Sequence, residues 1–267
     1  MNIRRKTWMM LVAVVISSCH TETFDIASPD GDLKVTVELA EENAYGEILF
    51  SVDYEGKRIL SQSKLGLETD AQKLAGNLKL KSVSAVKRVT DDYRMITGKR
   101  SHCVNGASER IYSFENEARQ TLEVTFRVYN DGIAFKYGIN TVADEENVVH
   151  EHTTYAVPKG TRRWVQEYDP GYEKFFPLST DGKLTNRPEV DLWGYPALVE
   201  PQDSVFMLIT KQISGAGIAV LFCIMETNLI AIRFDWPINS RLVMEHGNLL
   251  GDCLLWEIYL MWWSLHW

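Results

Sequence analysis

The chain has 267 residues, 45% of them apolar and 24% charged, enough for one large core or two small ones and too apolar for wholesale disorder. A formal net charge of −8 argues against a nucleic-acid partner, because neutralising phosphates takes a basic face. The cysteines (Cys19, Cys103, Cys223 and Cys253) are widely spaced with no C-x-x-C pair, which speaks against a disulfide framework and a cysteine zinc site.

Arg4, Arg5 and Lys6 precede an apolar run from Trp8 to Ile16. The run is shorter than the roughly 20 residues a spanning helix takes, so residues 1–19 are predicted to be a secretory signal. Ile16-Ser17-Ser18-Cys19 is similar to the lipobox of bacterial lipoproteins, in which Cys19 carries the lipid; a plain signal with Cys19 as a bystander is the alternative. Either way the mature chain is expected to be exported, and with the lipid it is anchored in the periplasm or outer membrane of a Gram-negative bacterium.

From Phe24 onward the hydrophobic period is two. Leu33, Val35, Val37 and Leu39 alternate with polar residues, as do Ile48, Phe50, Val52 and Tyr54, and Glu55-Gly56 then predicts a turn. Leu122, Val124, Phe126 and Val128 alternate again before Asn130-Asp131-Gly132 and Ile133–Tyr137, a hairpin signal because Asp and Gly tolerate positive φ. Ser204 to Thr210 is a further apolar, β-branched run, and no stretch of a dozen residues carries a period of 3.6. Many short strands joined by Gly, Asn and Asp turns predict an all-β chain built as a large antiparallel β-sandwich.

His150-Glu151-His152 places two imidazoles on one side of a strand, a possible metal pair without a third ligand near in sequence; a surface strand edge is the plainer expectation. Cys103 has no activating neighbour and is expected to be inert packing. Residues 157–201 hold six prolines among many aromatics, so they are predicted to be mostly loop. Within that segment Trp164, Tyr168, Tyr172, Trp193 and Tyr195 are candidates for stacking on sugar rings, core packing being their other ordinary fate. Glu173 and Glu200 are its most tempting carboxylates, against a plain role as solvated loop charges. No G-x-S-x-G, H-E-x-x-H or P-loop occurs.

Several strings in order resemble the N-terminal domain of glycoside hydrolase family 97: Ser28-Pro29-Asp30-Gly31, Gly98-Lys99-Arg100-Ser101, Phe126 to Tyr137, Tyr172-Glu173, Trp193 to Leu198 and Leu208-Ile209-Thr210. The Arg127-to-Tyr137 string is the most specific. The resemblance implies a galactose-mutarotase-like supersandwich over residues 20–210. In such proteins the sandwich precedes a (β/α)8 barrel whose carboxylates hydrolyse α-glucosides or α-galactosides. A calcium ion in the barrel pocket takes one glutamate from the N-terminal domain, and Lys211 stands where that glutamate belongs. No catalytic residue and no cofactor is therefore expected in this chain; Ca2+ belongs to the full-length family.

Past Thr210 the resemblance breaks. Residues 212–232 contain no Lys or Arg, residues 233–243 look family-like again with Trp236-Pro237-Ile238-Asn239-Ser240, and residues 244–267 again lack Lys and Arg. Reading allowed codons of 211–232 one base earlier yields E-T-N-I-R-R-G-H-S-G-S-F-L-Y-N-G-D, and the same offset from Met244 yields N-G-A-W-K-S-P-W-R-L-L-I-V. Both are similar to the family's continuation, so 211–232 and the 244–267 tail are expected to be out of frame, leaving the sandwich incomplete at its C-terminal end with unpaired edges. Three functional expectations follow. One is an inactive fragment of a glycoside hydrolase, binding oligosaccharide or polysaccharide weakly or not at all. Another is a stand-alone carbohydrate-binding surface lipoprotein. The third is an assembly lipoprotein whose tail, with Trp256, Trp262 and Trp263, lies on the membrane.

Overall fold

A computed structural model describes residues 23–42, 45–94, 96, 101–142, 145–171, 173–180, 183–190, 192–214, 217–223, 231–232 and 240–243. The signal with Cys19, Tyr172, most of the Gly98–Ser101 string and the 244–267 tail lie outside these residues.

The described chain is all strand and connection. The first strands are β1 (Thr23–Ala27), β2 (Leu33–Glu42), β3 (Tyr45–Tyr54), β4 (Lys57–Leu65), β5 (Leu67–Thr69), β6 (Lys73–Leu74) and β7 (Leu78–Val83). There follow β8 (Lys87–Arg94), β9 (His102–Asn116), β10 (Thr121–Tyr129), β11 (Gly132–Ile139), β12 (Glu145–Glu151), β13 (Tyr155–Ala156), β14 (Arg162–Glu167) and β15 (Leu178–Thr180). The last are β16 (Trp193–Gln202), β17 (Val205–Ser214), β18 (Gly217–Cys223), β19 (Ala231–Ile232) and β20 (Ser240–Val243). Among the described residues the main sheet has 14 strands in the order β1-β2-β3-β7-β9-β10-β11-β18-β17-β16-β14-β15, with β4 paired to β3 and β8 to β9. A four-stranded sheet, β20-β12-β5-β6, lies beside it, and β13 pairs β19.

All these pairings are antiparallel, and the two-residue alternation dictates which face closes. Leu33, Val35, Val37 and Leu39 of β2 and Leu122, Val124, Phe126 and Val128 of β10 are each at most 4% exposed. They share one core with Val165, Val199 and Ile209 from the other half of the main sheet, so the sheet folds over on itself as a sandwich. Edge strand β1 is tied across to β9: the Tyr112 hydroxyl donates to the Phe24 carbonyl and the Arg110 guanidinium to that of Asp25.

The turns divide by mechanism. Glu55 and Gly56, with φ of 48° and 74°, make the β3–β4 reversal with both central residues left-handed, as a two-residue hairpin requires. The β10–β11 hairpin forms where expected, but neither Asp131 nor Gly132 takes positive φ, so that reversal is not the primed turn the Asp-Gly pair suggested. Gly66, between β4 and β5, is needed for room: a Cβ there would lie 2.6 Å from Ala75 Cβ and 3.0 Å from Ala75 Cα. Gly66→Ala is therefore expected to cost about 1–3 kcal/mol in urea unfolding; an unchanged midpoint would show that Ala75 yields freely.

The proline-rich segment is mostly loop, as expected, although β14, β15 and β16 run through it. Proline is tolerated because Pro196 lies opposite the bulge between Trp164 and Gln166, and Pro201 lies in the register shift between Val199 and Gln202. One expectation is corrected: among the described residues the sheet does not open directly after Thr210. The backbone of β17 continues to Ser214, and β18 lies between β17 and β11, pairing Ala219–Cys223 with Gly132–Lys136. Gly217-Ile-Ala-Val-Leu-Phe-Cys223 is an apolar run of the kind a strand paired on both sides takes, and backbone ladders form whatever the origin of that run.

Candidate functional site

The functional side chains gather where β11, β12, β16 and β17 come together. Strand β12 is pinned to β5 by Glu146, wholly buried, which accepts from Thr69 Oγ1, from Gln72 Nε2 at 2.7 Å and from the Val142 amide at 3.0 Å. Three donors satisfy a carboxylate that burial would otherwise make costly. This anchors the His150-Glu151-His152 end of the strand.

Inward from that end lies a relay of polar groups. The Gly66 amide donates to the Tyr137 hydroxyl at 3.1 Å, and the Thr153 hydroxyl donates to Glu151 Oε1 at 2.7 Å. With its proton on Glu151, Thr153 Oγ1 must accept from Tyr137, 2.7 Å away. The other carboxylate oxygen of Glu151 takes the Lys211 ammonium, and the two side chains are only 7% and 9% exposed. Both oxygens of Glu151 are thus engaged, which makes it a closed structural carboxylate rather than a free acid or base. The phenols of Tyr137, Tyr155 and Tyr195 crowd around it. Burial first, and the Glu151 charge after it, pushes Tyr137 and Tyr195 far above the usual value of 10.0. Tyr155 moves the same way, burial again leading.

These phenols carry a pH dependence of known sign. The folded state holds their protons more tightly than the unfolded chain, so their contribution is intact below pH 10.0 and lost as pH rises above it. Absorbance titration should show some of the 11 tyrosines ionising near the ordinary value and the buried set only on unfolding. A single group titrating near 10.0 would contradict this burial.

Outward from Glu151 lies a cleft of about 410 Å³ lined by Glu47, Lys64, Lys73, His150, His152 and Thr154 among others. The His150 and His152 rings meet edge to face, centroids 4.5 Å apart. His152 Nε2 is 3.2 Å from Glu68 Oε2, Lys73 Nζ lies 3.8 Å from the same oxygen, and Lys64 Nζ is 2.8 Å from Glu47 Oε1. Burial lowers the His152 pKa, and the Glu68 hydrogen bond opposes it. The two imidazoles do share one side of the chain, as the i, i+2 spacing requires, but line a cleft instead of a bare strand edge.

The aromatic candidates are not brought into one surface. Trp193 is 5% exposed and sits in the core, and Tyr195 packs against that core, so both take the packing role. Trp164 is half-buried, its ring 5.9 Å from Phe206 with the Arg162 guanidinium 5.8 Å over it. Tyr168 is half-buried, its amide bonded to the Leu192 carbonyl, and Glu173 is exposed. Glu200 is no solvated loop charge: it is 3% exposed on β16 and paired with Arg162. The exposed apolar residues of this segment are instead Phe175, Phe176 and Leu178. Cys103 is half-buried and free, placed opposite Tyr93 across the β8–β9 ribbon. Sequence reasoning missed Glu151, Glu68 and Glu146 as fixed carboxylates; their only signal was their place beside alternating strand residues.

The described residues thus form a large antiparallel sandwich in which Glu146 and Glu151 are partnered through both carboxylate oxygens. The family model Glycosyl-hydrolase 97 N-terminal matches residues 26–212, and the chain belongs to that family. A "Retaining alpha-galactosidase" of Bacteroides thetaiotaomicron is 25% identical over 224 residues, covering 79% of this chain and 32% of the relative. Among solved structures, a beta-arabinopyranosidase superimposes with TM-score 0.64 at 21% identity, over 78% of this chain and 38% of that one. A Glycoside Hydrolase Family 97 enzyme from Pseudoalteromonas sp. strain K8, in complex with panose, matches at TM-score 0.59 and 17% identity, over 76% and 35% of the two chains. The chain thus spans about a third of the length of these relatives.

The calcium that the resemblance implies does not fit these residues. The ammonium of Lys211 already neutralises Glu151. A second cation there would face that charge without a free carboxylate to hold it.

Proposed function

We propose that the chain is the N-terminal sandwich of an exported, lipid-anchored glycoside hydrolase acting on α-galactosides or α-glucosides, whose chemistry is supplied by a catalytic domain beyond the matched residues. The match of residues 26–212 to a domain family, set against a retaining α-galactosidase of which the alignment covers only 32%, carries this reading. The partnering of both carboxylate oxygens of Glu151 and of Glu146 supports it, since neither is left free to protonate a leaving group or attack a sugar. Cys19 carries the lipid, the membrane is reached through it, and the acidic chain has no nucleic-acid partner. Calcium plays no part in this chain's own fold. The purified chain is expected to release no nitrophenol from aryl α-galactosides or aryl α-glucosides; turnover abolished by a substitution in this chain would overturn the proposal.

A second reading, a stand-alone carbohydrate-binding surface lipoprotein, is favoured by one observation: β18 takes a fully paired place in the sheet, as that reading requires of the residues after Thr210. Calorimetry against malto-oligosaccharides separates the two: saturable heat that is lost on Trp164→Ala favours the second, and its absence favours the first.

A further inference from the structure

We propose that the cleft bounded by His150, His152, Lys64 and Lys73 is a binding site for one neutral sugar ring. It rests on the proposal that the chain is part of a carbohydrate-active protein, and assigns that role to a different surface from the aromatic segment. Three observations select the ligand class. The first is size: about 410 Å³ is near the small end of the roughly 300–1,000 Å³ typical of small-molecule sites, room for one or two rings.

The second is charge. Glu47 pairs with Lys64, Glu68 with Lys73 and His152, and Glu151 with Lys211, so acids and bases close one against another. An anion would have to displace a carboxylate already in place, and a cation an ammonium. A hydroxyl both donates and accepts, so it can lie against such a pair without displacing either member.

The third is the imidazole pair. Among the described residues nothing hydrogen-bonds the His150 ring, whose contact is the His152 ring at 4.5 Å. Its nitrogens are left for a ligand hydroxyl, and an imidazole lining the cleft is the kind of flat ring on which the C–H side of a pyranose packs. Gly76 also lines the cleft, with open space where a Cβ would stand. The aromatic segment offers no equivalent: Trp193 is core, and Trp164 is flanked by Phe206 and Arg162.

The test is a titration of the purified chain with methyl α-galactoside, methyl α-glucoside and galacturonate, followed by the histidine ring signals in ¹H–¹³C NMR. Saturable shifts of His150 and His152 with a neutral glycoside are expected. His150→Ala and Lys64→Gln should each weaken binding about tenfold, the loss of one hydrogen-bonding contact, whereas Trp164→Ala leaves it unchanged. Tighter binding of galacturonate than of the neutral sugars, binding that survives His150→Ala but not Trp164→Ala, or no saturable shift at all would each overturn the site. None of these outcomes touches the domain assignment, which stands or falls with the hydrolysis assay and the gene.

Discussion

Phe126→Ala is expected to lower the unfolding free energy by about 3–5 kcal/mol, read from the urea midpoint at constant slope. Phe126 is fully buried at the centre of a ring cluster, with Phe135 at 5.3 Å, Phe50 at 5.9 Å and Tyr112 at 5.9 Å. Those rings come from β3, β9, β10 and β11, so the cavity opens at the meeting point of four strands that cannot all move in to fill it. Phe135 also touches Tyr137, 5.7 Å away, so the same cavity loosens the relay to Glu151. The matched control is Phe176→Ala in the exposed segment, where a change within about 0.5 kcal/mol is expected. Equal losses at the two positions would mean the sandwich core is not where the alternation puts it.

The second large effect is expected at the buried ion pair. Lys211→Met leaves Glu151 charged and without its ammonium in a site where both partners are less than a tenth exposed. Breaking such a pair from one side costs about 3–5 kcal/mol, because desolvation is no longer offset. Glu151→Gln with Lys211→Met removes both charges and is expected to recover most of that loss, so the double-mutant cycle should show coupling of at least about 1 kcal/mol. Additive single losses of under about 1 kcal/mol would place Lys211 in solvent, as for a surface pair.

The sandwich was legible because its signal is local. Leu33, Val35, Val37 and Leu39 of β2 and Leu122, Val124, Phe126 and Val128 of β10 fall two apart, and all are buried. Trp193–Gln202 was not legible as a strand, since Pro196 and Pro201 speak against one unless the positions of the bulges are known. The Glu151–Lys211 pair joins residues 60 apart, and nothing in the spacing of either announces the other. Trp193 and Trp164 show the limit most plainly. An indole in a proline-rich segment reads the same whether it packs a core or faces a sugar, and only the fold distinguishes them. The strand pairing just past Thr210 went unanticipated for a related reason. Loss of family resemblance removes the evidence for selection, yet an apolar stretch keeps its propensity for a strand.

Sequencing the gene from the codon before Lys211 to well past that of Trp267 most directly tests whether this sandwich is the front of a larger hydrolase. A missing base ahead of Lys211, bases in both atypical tracts that spell the family's continuation one frame away, and barrel-coding sequence downstream are the expected result. Codons that cannot spell those strings, followed by no barrel in any frame, would contradict it.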